Sequence, residues 1–247
     1  MQFTIYSSLL AISTIISLVL VWNASIRHKE PVITAFMFLM IGVALWSGTY
    51  FFEAIASDLS TKILWAIISG INQIVPVLFL YFALQFLRLG EKIPVPALML
   101  LFIIPVISFI LSATFQINGL VWPEIYMTSS PLAGISLIYM HGAWYWVELV
   151  YNLLLYMAAA AALLMAIIRS PPVYSMQLWL VFFSSLFPFI GSLLYAFASP
   201  IFQGIDLTPV SFGFTGIVLY YAITRYLLFD LIPVAHEQIL SDMHEGV

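Results

Sequence analysis

The residues that could do chemistry in this sequence are polar and ionisable side chains that interrupt long apolar stretches. Such side chains are costly inside a bilayer, so each of them is a candidate functional residue. The densest set lies between positions 141 and 152, where residues recur at steps of three and four and therefore share one helix face. This set consists of His141, Trp144, Tyr145, Glu148, Tyr151 and Asn152.

Further polar or aromatic residues fall on the faces of two other apolar stretches and at the start of a third. Trp46, Tyr50 and Glu53 are spaced i, i+4 and i+7. The other members are Ser69, Asn72, Gln73 and Pro76 on one face, and Asp206 ahead of the last apolar stretch. Aromatic walls with a few placed polar groups are typical of a small-molecule pocket. We therefore expect these faces to converge on one cavity, and Glu148, Trp144, Glu53, Asn72 and Asp206 are its leading candidates.

Each of these residues also has a simpler interpretation. Tryptophan and tyrosine near helix ends commonly belong to the interfacial aromatic belt. Glu53 could reach water at the end of its helix, His141 could be a cap or an interfacial group, and Asp206 could be a helix cap. Arg225 is expected to extend its charged group to the inner membrane surface.

Several chemistries have no support in the sequence. It contains no HExxH or GxSxG motif and no glycine-rich phosphate loop, and the last apolar stretch lacks a lysine for a retinal Schiff base. Cysteine is absent, and the net charge of -4 argues against nucleic acid as a partner. We expect no catalytic residues, no metal site and no cofactor.

Composition indicates the class of protein that holds these residues. Hydrophobic residues make up 64% of the chain and charged residues 7%, and the mean hydropathy is +1.11. Soluble domains average roughly 45–50% apolar and 25% charged residues. The chain is therefore predicted to be a multi-pass helical membrane protein.

Apolar stretches of membrane length predict an all-α bundle of seven transmembrane helices. The predicted spans are residues 3–24, 32–56, 62–87, 96–115, 141–168, 173–198 and 208–229. The long connection 116–140 carries turn signals, and we expect it to fold over the mouth of the bundle. Residues 1–232 would form the membrane domain and residues 233–247 a cytoplasmic connector.

The distribution of basic residues predicts the orientation of the bundle. Only Lys62 falls at one set of helix ends, and six basic residues fall at the other. Those six are Arg27, Lys29, Arg88, Lys92, Arg169 and Arg225. Because cytoplasmic ends are rich in lysine and arginine, the N-terminus is predicted to be outside and the C-terminus inside. The candidate cavity would then lie in the outer half of the bundle.

Prolines and glycines interrupt the predicted spans. Pro76, Pro105 and Pro188 lie within helices and free backbone carbonyls that neighbours must satisfy. Gly213 and Gly216 share one face of the last helix and would let another helix approach closely. Packing is the simpler role for all five residues, and a hinge is the alternative.

The motifs of this chain resemble those of the seven-helix membrane domain found at the N-terminus of many bacterial and archaeal sensor histidine kinases. The resemblance covers nearly the whole chain. The residues that carry it are Trp46, Tyr50, Glu53, 141–147, Tyr151, Gln177, Pro188, Gly191, 206–209 and 225–235. The tail 241–247 is similar to the segment that leads into a PAS domain, and His236 departs from the arginine usual in the family.

The resemblance implies a sensory input unit in the plasma membrane of a prokaryote. It implies cytoplasmic PAS and kinase domains in the same polypeptide and a homodimer in the bilayer. The expected signal is a small or lipid-like molecule. In this interpretation the last helix relays the signal to the connector, with Pro188, Pro209, Arg225, Asp230 and Pro233 as relay residues.

Two other function classes remain as alternatives. A small transporter or channel would use Glu53 and Glu148 to bind a proton or cation, although the sequence shows no internal repeat of the kind common in transporters. An intramembrane enzyme would need a catalytic constellation that the sequence does not show.

Overall fold

The computed structural model describes residues 3–26, 30–90, 93–130, 132–170, 172–202 and 205–224. Within them, six helices are long and apolar enough to cross a membrane, and a shorter apolar helix follows. The helical membrane bundle predicted from composition is therefore confirmed. Arg27, Lys29, Lys92 and the whole stretch 225–247, including Arg225, Asp230 and Pro233, lie outside the described residues.

The helices follow the predicted spans closely but not at every boundary. Their bounds are α1 (Ile5–Ser25), α2 (Pro31–Ile55), α3 (Leu59–Ser69), α4 (Val75–Phe86), α5 (Val95–Leu100), α6 (Ile103–Ala113), α7 (Phe115–Asn118), α8 (Ala143–Arg169), α9 (Pro172–Phe202) and α10 (Thr208–Thr224). The third span begins at Leu59, ahead of the predicted 62, because the Asp58 carboxylate caps the helix by accepting the Thr61 N–H at 2.8 Å.

Two spans are interrupted where prolines follow. The third span passes from α3 through a 3₁₀ turn, Gly70–Ile74, into α4, which carries Pro76 in its first turn. The fourth span breaks between α5 and α6, ahead of Pro105. A proline ring clashes with the carbonyl four residues earlier, so a tightened or broken turn there is expected.

The connection before α8 contains a β-hairpin that the sequence analysis did not predict. Strands β1 (Ile125–Ser130) and β2 (Gly134–Tyr139) pair antiparallel, with Ile125 opposite Tyr139 and Ser130 opposite Gly134. Gly134 has φ 65, a left-handed value that glycine adopts without strain. The all-α prediction thus holds for the bundle and misses this hairpin. We call the end of the bundle that carries β1 and β2 the hairpin end.

One face of the last helix, α10, packs on the core of the bundle, whereas Phe214, Ile217 and Tyr221 are exposed. Phe212 is fully buried, and its ring lies 5.9 Å from Trp46 of α2, 6.1 Å from Phe79 of α4 and 6.2 Å from Tyr156 of α8. Two glycines of α10, Gly213 and Gly216, allow α1 and α2 to approach this helix closely. A Cβ at Gly213 would collide with Ser13, as predicted for a close helix contact.

Candidate functional site

A cavity of about 100 Å³ lies at the hairpin end, among α2, the 3₁₀ turn, α8, α9 and the start of α10. Eight of the twelve residues predicted to bind a ligand line it. They are Trp46, Tyr50, Asn72, Gln73, Tyr145, Glu148, Asn152 and Asp206. The helix faces predicted from three- and four-residue spacing therefore do meet around one cavity.

Glu148 is a buried carboxyl group of the cavity, with 5% of its surface exposed, the same fraction as Asp206. Ser108 of α6 hydrogen-bonds to one side of the carboxyl, whereas Oε1 has no partner among the described residues. Trp144 does not line the cavity. Its Nε1 instead donates to Ser108 Oγ at 2.9 Å, so it supports the residue that holds Glu148.

One helical turn beyond Glu148, Asn152 joins α8 to the 3₁₀ turn. Its Nδ2 donates to Gln73 Oε1 at 3.0 Å, and its Oδ1 is buried without a partner in the described chain. The turn that precedes Pro76 brings both Asn72 and Gln73 to the cavity wall. Two unpaired oxygen acceptors, one from Glu148 and one from Asn152, therefore belong to the same cavity.

Asp206 both starts α10 and lines the cavity. Its Oδ1 accepts the Thr208 N–H at 2.8 Å, and Tyr6 donates its hydroxyl to the Asp206 carbonyl at 2.9 Å. Burial raises the pKa of Asp206 to about 6, and hydrogen bonds from Thr208 and Tyr50 oppose this rise. The cap and the ligand contact, which were alternatives in the sequence, are compatible in the structure.

Glu53 lines a second, smaller cavity of about 30 Å³ that shares Tyr50, Tyr139 and Asp206 with the first. Tyr139 of β2 donates its hydroxyl to Glu53 Oε1 at 2.8 Å, and this ties the hairpin to α2. Burial, and then the nearby Glu53 carboxyl, raise the pKa of Tyr139 well above its usual value. The Glu53 side chain therefore has a protein partner and does not simply end in solvent.

The remaining predicted residues take supporting positions. His141 stacks on Tyr145 with ring centroids 3.7 Å apart, and burial lowers its pKa. It does not cap α8, because the N-cap position is Gly142. Tyr151 faces the broken fourth span and donates its hydroxyl to the Leu101 carbonyl at 2.5 Å. Neither residue lines the first cavity.

Several residues of the two cavities were missed by the sequence analysis. They are Tyr6, Lys62, Trp122, Tyr139, Tyr156, Ser192, Tyr195 and Thr208. Lys62, assigned only to a helix end, is fully buried and donates its Nζ to the Glu53 carbonyl at 2.7 Å. Ser192 and Tyr195 could have been found, because they lie four and seven residues after Pro188 on one helix face.

The described relay candidates lie where α10 meets its neighbours. Pro188 removes the backbone donor that would bond to Ser184, and Thr215 of α10 donates its hydroxyl to the Ser184 carbonyl at 2.9 Å. At the start of α10, Ser13 of α1 donates to the Pro209 carbonyl at 2.9 Å. Both prolines therefore belong to contacts that hold the last helix.

Comparison with known families assigns the chain. A family model described as the N-terminal 7TM region of histidine kinase matches residues 9–233. The chain belongs to this family. No curated protein matches it. The resemblance seen in the motifs is confirmed, and so is a multi-pass membrane location, which fits the plasma membrane of a prokaryote.

Membership of the histidine kinase 7TM family defines the general role of the chain. It is the membrane sensor region of a kinase, and phosphoryl transfer belongs to other domains. Among the described residues, no group of three or more histidine or acidic side chains is arranged to hold a metal.

Proposed function

We propose that this 7TM region senses a small molecule that binds in the cavity at the hairpin end, in the outer half of the bundle. Binding shifts α10 relative to its neighbours, and the connector after Pro233 carries the shift to cytoplasmic PAS and kinase domains of a homodimer. The ligand can bias the two bundle states only by its difference in affinity for them.

The observation that carries this proposal is the position of α10 in the cavity wall. Asp206 and Thr208, at the start of α10, line the cavity together with residues of α2, α8 and α9. A molecule that contacts both sides would change the packing of the helix that leads toward the connector. The other ligand-binding and relay residues named above belong to the same proposal.

The test is autophosphorylation of the full-length protein in membrane vesicles with Glu148→Gln. This change keeps the shape of the side chain and removes its charge, so the balance between the two bundle states should shift. We expect the basal rate of autophosphorylation to change by about fivefold or more, the lower range of allosteric coupling.

The matched control is Glu124→Gln, which removes an exposed carboxyl group just before β1 and outside both cavities. It should leave the rate unchanged. Equal rates in the native, Glu148→Gln and Glu124→Gln proteins would contradict coupling of Glu148 to the kinase.

A transporter or channel remains the second candidate, because Glu53 and Glu148 line adjacent cavities with shared walls. Proton or cation flux into proteoliposomes distinguishes the two. Flux that Glu148→Gln abolishes would favour transport. A chain that moves no ions and still controls phosphorylation would favour sensing.

A further inference from the structure

We propose that the cavity binds a small protonated amine, held by the carboxylates of Glu148 and Asp206. This inference rests on the proposed sensory function and names the chemical class of its ligand. It follows from the charge of the cavity, its unpaired hydrogen-bonding atoms, its aromatic walls and its volume.

The charges of the cavity are unbalanced. Glu148 and Asp206 both line it and are at least nine-tenths buried. Among the described lining residues there is no lysine, arginine or histidine. Lys62 lies in the neighbouring cavity and points its amine at the Glu53 carbonyl. Buried carboxylates need a paired cation or a proton, and a cationic ligand would supply the charge that the protein lacks.

The unpaired atoms of the cavity are mainly acceptors. Glu148 Oε1 and Asn152 Oδ1 are buried and have no partner in the described chain. An ammonium group offers up to three N–H donors, as the lysine side chain does. The remaining unpaired lining atom is the donor Trp46 Nε1, which would suit an oxygen elsewhere on the ligand.

The walls of the cavity also suit a cation. Aromatic rings surround it, including Trp46, Tyr50, Tyr145 and Tyr195. The faces of such rings attract organic cations through their negative quadrupole, and cages of this kind recognise ammonium ligands. The described residues provide no cluster of ligands for a metal ion, so an organic cation fits better.

The cavity volume of about 100 Å³ limits the size of the amine. A cavity of about 150 Å³ accommodates benzene, so a molecule of about four non-hydrogen atoms fits here. Ethanolammonium has this size and combines an ammonium group with a hydroxyl oxygen. It is therefore the probe of choice, whatever the natural amine is.

The test compares three probes of similar size on the purified full chain in lipid nanodiscs. Ethanolammonium chloride is the cation, ethylene glycol the neutral analogue and sodium glycolate the anion, each at equal ionic strength set with NaCl. Ethanolammonium should raise the unfolding temperature in a saturable manner and change the tryptophan fluorescence, because Trp46 and Trp122 line the cavity. The other two probes should do neither.

Variants then locate the effect. Glu148→Gln and Asp206→Asn should each weaken the apparent affinity for ethanolammonium by about tenfold or more, because each removes one of two buried charges. Glu124→Gln should bind as the native chain does. If a cavity variant does not fold, the comparison of the three probes on the native chain still decides.

Equal stabilisation by ethylene glycol would overturn the amine proposal but leave a sensing cavity intact. No response to ethanolammonium at any concentration would overturn it too, and would indicate that protons neutralise the carboxylates. Failure of the proposed sensory function gives a different result. In that case ethanolammonium still binds to the native chain, but Glu148→Gln leaves autophosphorylation unchanged.

Discussion

At the scale of single residues, Asp206 combines a structural bond with a buried charge. Its Oδ1 satisfies the Thr208 N–H at the start of α10, and its carboxyl group lines both cavities. Glu148 differs, because Ser108 is its one hydrogen-bond partner and its Oε1 has none among the described residues. Glu148 therefore keeps hydrogen-bonding capacity at the cavity surface, which a binding site needs and a purely structural core avoids.

The buried Asp206 carboxyl predicts a pH dependence of stability. Its pKa rises on folding from 3.8 to about 6, so the folded state holds the proton more tightly than the unfolded state. Its contribution to stability is therefore complete below about pH 3.8 and is lost as pH rises through 6. Asp206→Asn is neutral at every pH, so it should match the native chain near pH 4 and exceed it in stability near pH 7.

The measurement is the unfolding temperature of both proteins across this range, in an amine-free buffer. Asparagine can keep the bond to Thr208 through its own Oδ1, so the comparison isolates the charge. Parallel curves for the two proteins would contradict the prediction.

At the scale of helices, prolines leave backbone carbonyls without their helical donor, and hydroxyl groups of neighbouring helices donate to these carbonyls. Pro105 follows Leu101 by four residues, and the Tyr151 hydroxyl of α8 bonds to the Leu101 carbonyl. Pro188 follows Ser184 by four residues, and the Thr215 hydroxyl of α10 bonds to the Ser184 carbonyl. Each bond ties a proline-containing span to a helix, α8 or α10, that contributes residues to the cavity wall.

Thr215→Val should destabilise the bundle by about 1 kcal/mol, because side-chain bonds between membrane helices average about 0.6 kcal/mol and reach about 1.7. The cost should depend on Pro188. In a Pro188→Ala background, the alanine N–H can bond to the Ser184 carbonyl within α9, so the threonine hydroxyl becomes dispensable.

Unfolding free energies of the two single variants and the double variant give the coupling. A double variant whose cost equals the sum of the single costs would show that the Thr215 bond does not depend on the proline.

These helix contacts show which features could be predicted from the sequence and which could not. Apolar length predicts the spans, and three- and four-residue spacing places Glu148 and Asn152 on one face, because both signals are local. The partners of the freed carbonyls are not local, so the sequence predicts that Ser184 needs a donor but not that Thr215 provides it. The hairpin was not predicted for the same reason. The pairing of Ile125 with Tyr139 joins residues distant in the sequence and produces no helical periodicity.

Lys62 was missed for a different reason. A lone basic residue near a helix end normally extends to water. Here the amine donates to the Glu53 carbonyl in the last turn of α2, and the Lys62 side chain is buried. That carbonyl is one of the unsatisfied groups at a helix C-terminus. Tertiary packing of α2 against α3 decides its partner.

At the scale of the whole molecule, one face of α10 is packed tightly into the bundle. Phe212 contacts three aromatic rings from three helices, and Gly213 lets α1 approach. Gly213→Ala should force α1 and α10 apart, because its Cβ would meet the Ser13 side chain. We expect a loss of about 1–3 kcal/mol, as for other overpacked sites.

The matched control is Gly48→Ala in α2, which faces the same helix α1. Its Cβ would lie 3.7 Å from Thr14 Cγ2, an ordinary contact, so this variant should be neutral or slightly stabilising. The unfolding free energies of both variants in detergent check the pair. A Gly213→Ala protein as stable as Gly48→Ala would contradict tight packing of α10.

The packing of Phe212 of α10 against α2, α4 and α8 has a consequence for biosynthesis. Chains enter the membrane from the N-terminus, so α1 to α9 are made before the helix that covers this part of the core. Until Phe212 arrives, Trp46, Phe79 and Tyr156 face an open groove. Nascent chains halted before residue 208 should therefore leave these three rings uncovered, and the core should be complete only when the last helix is in place.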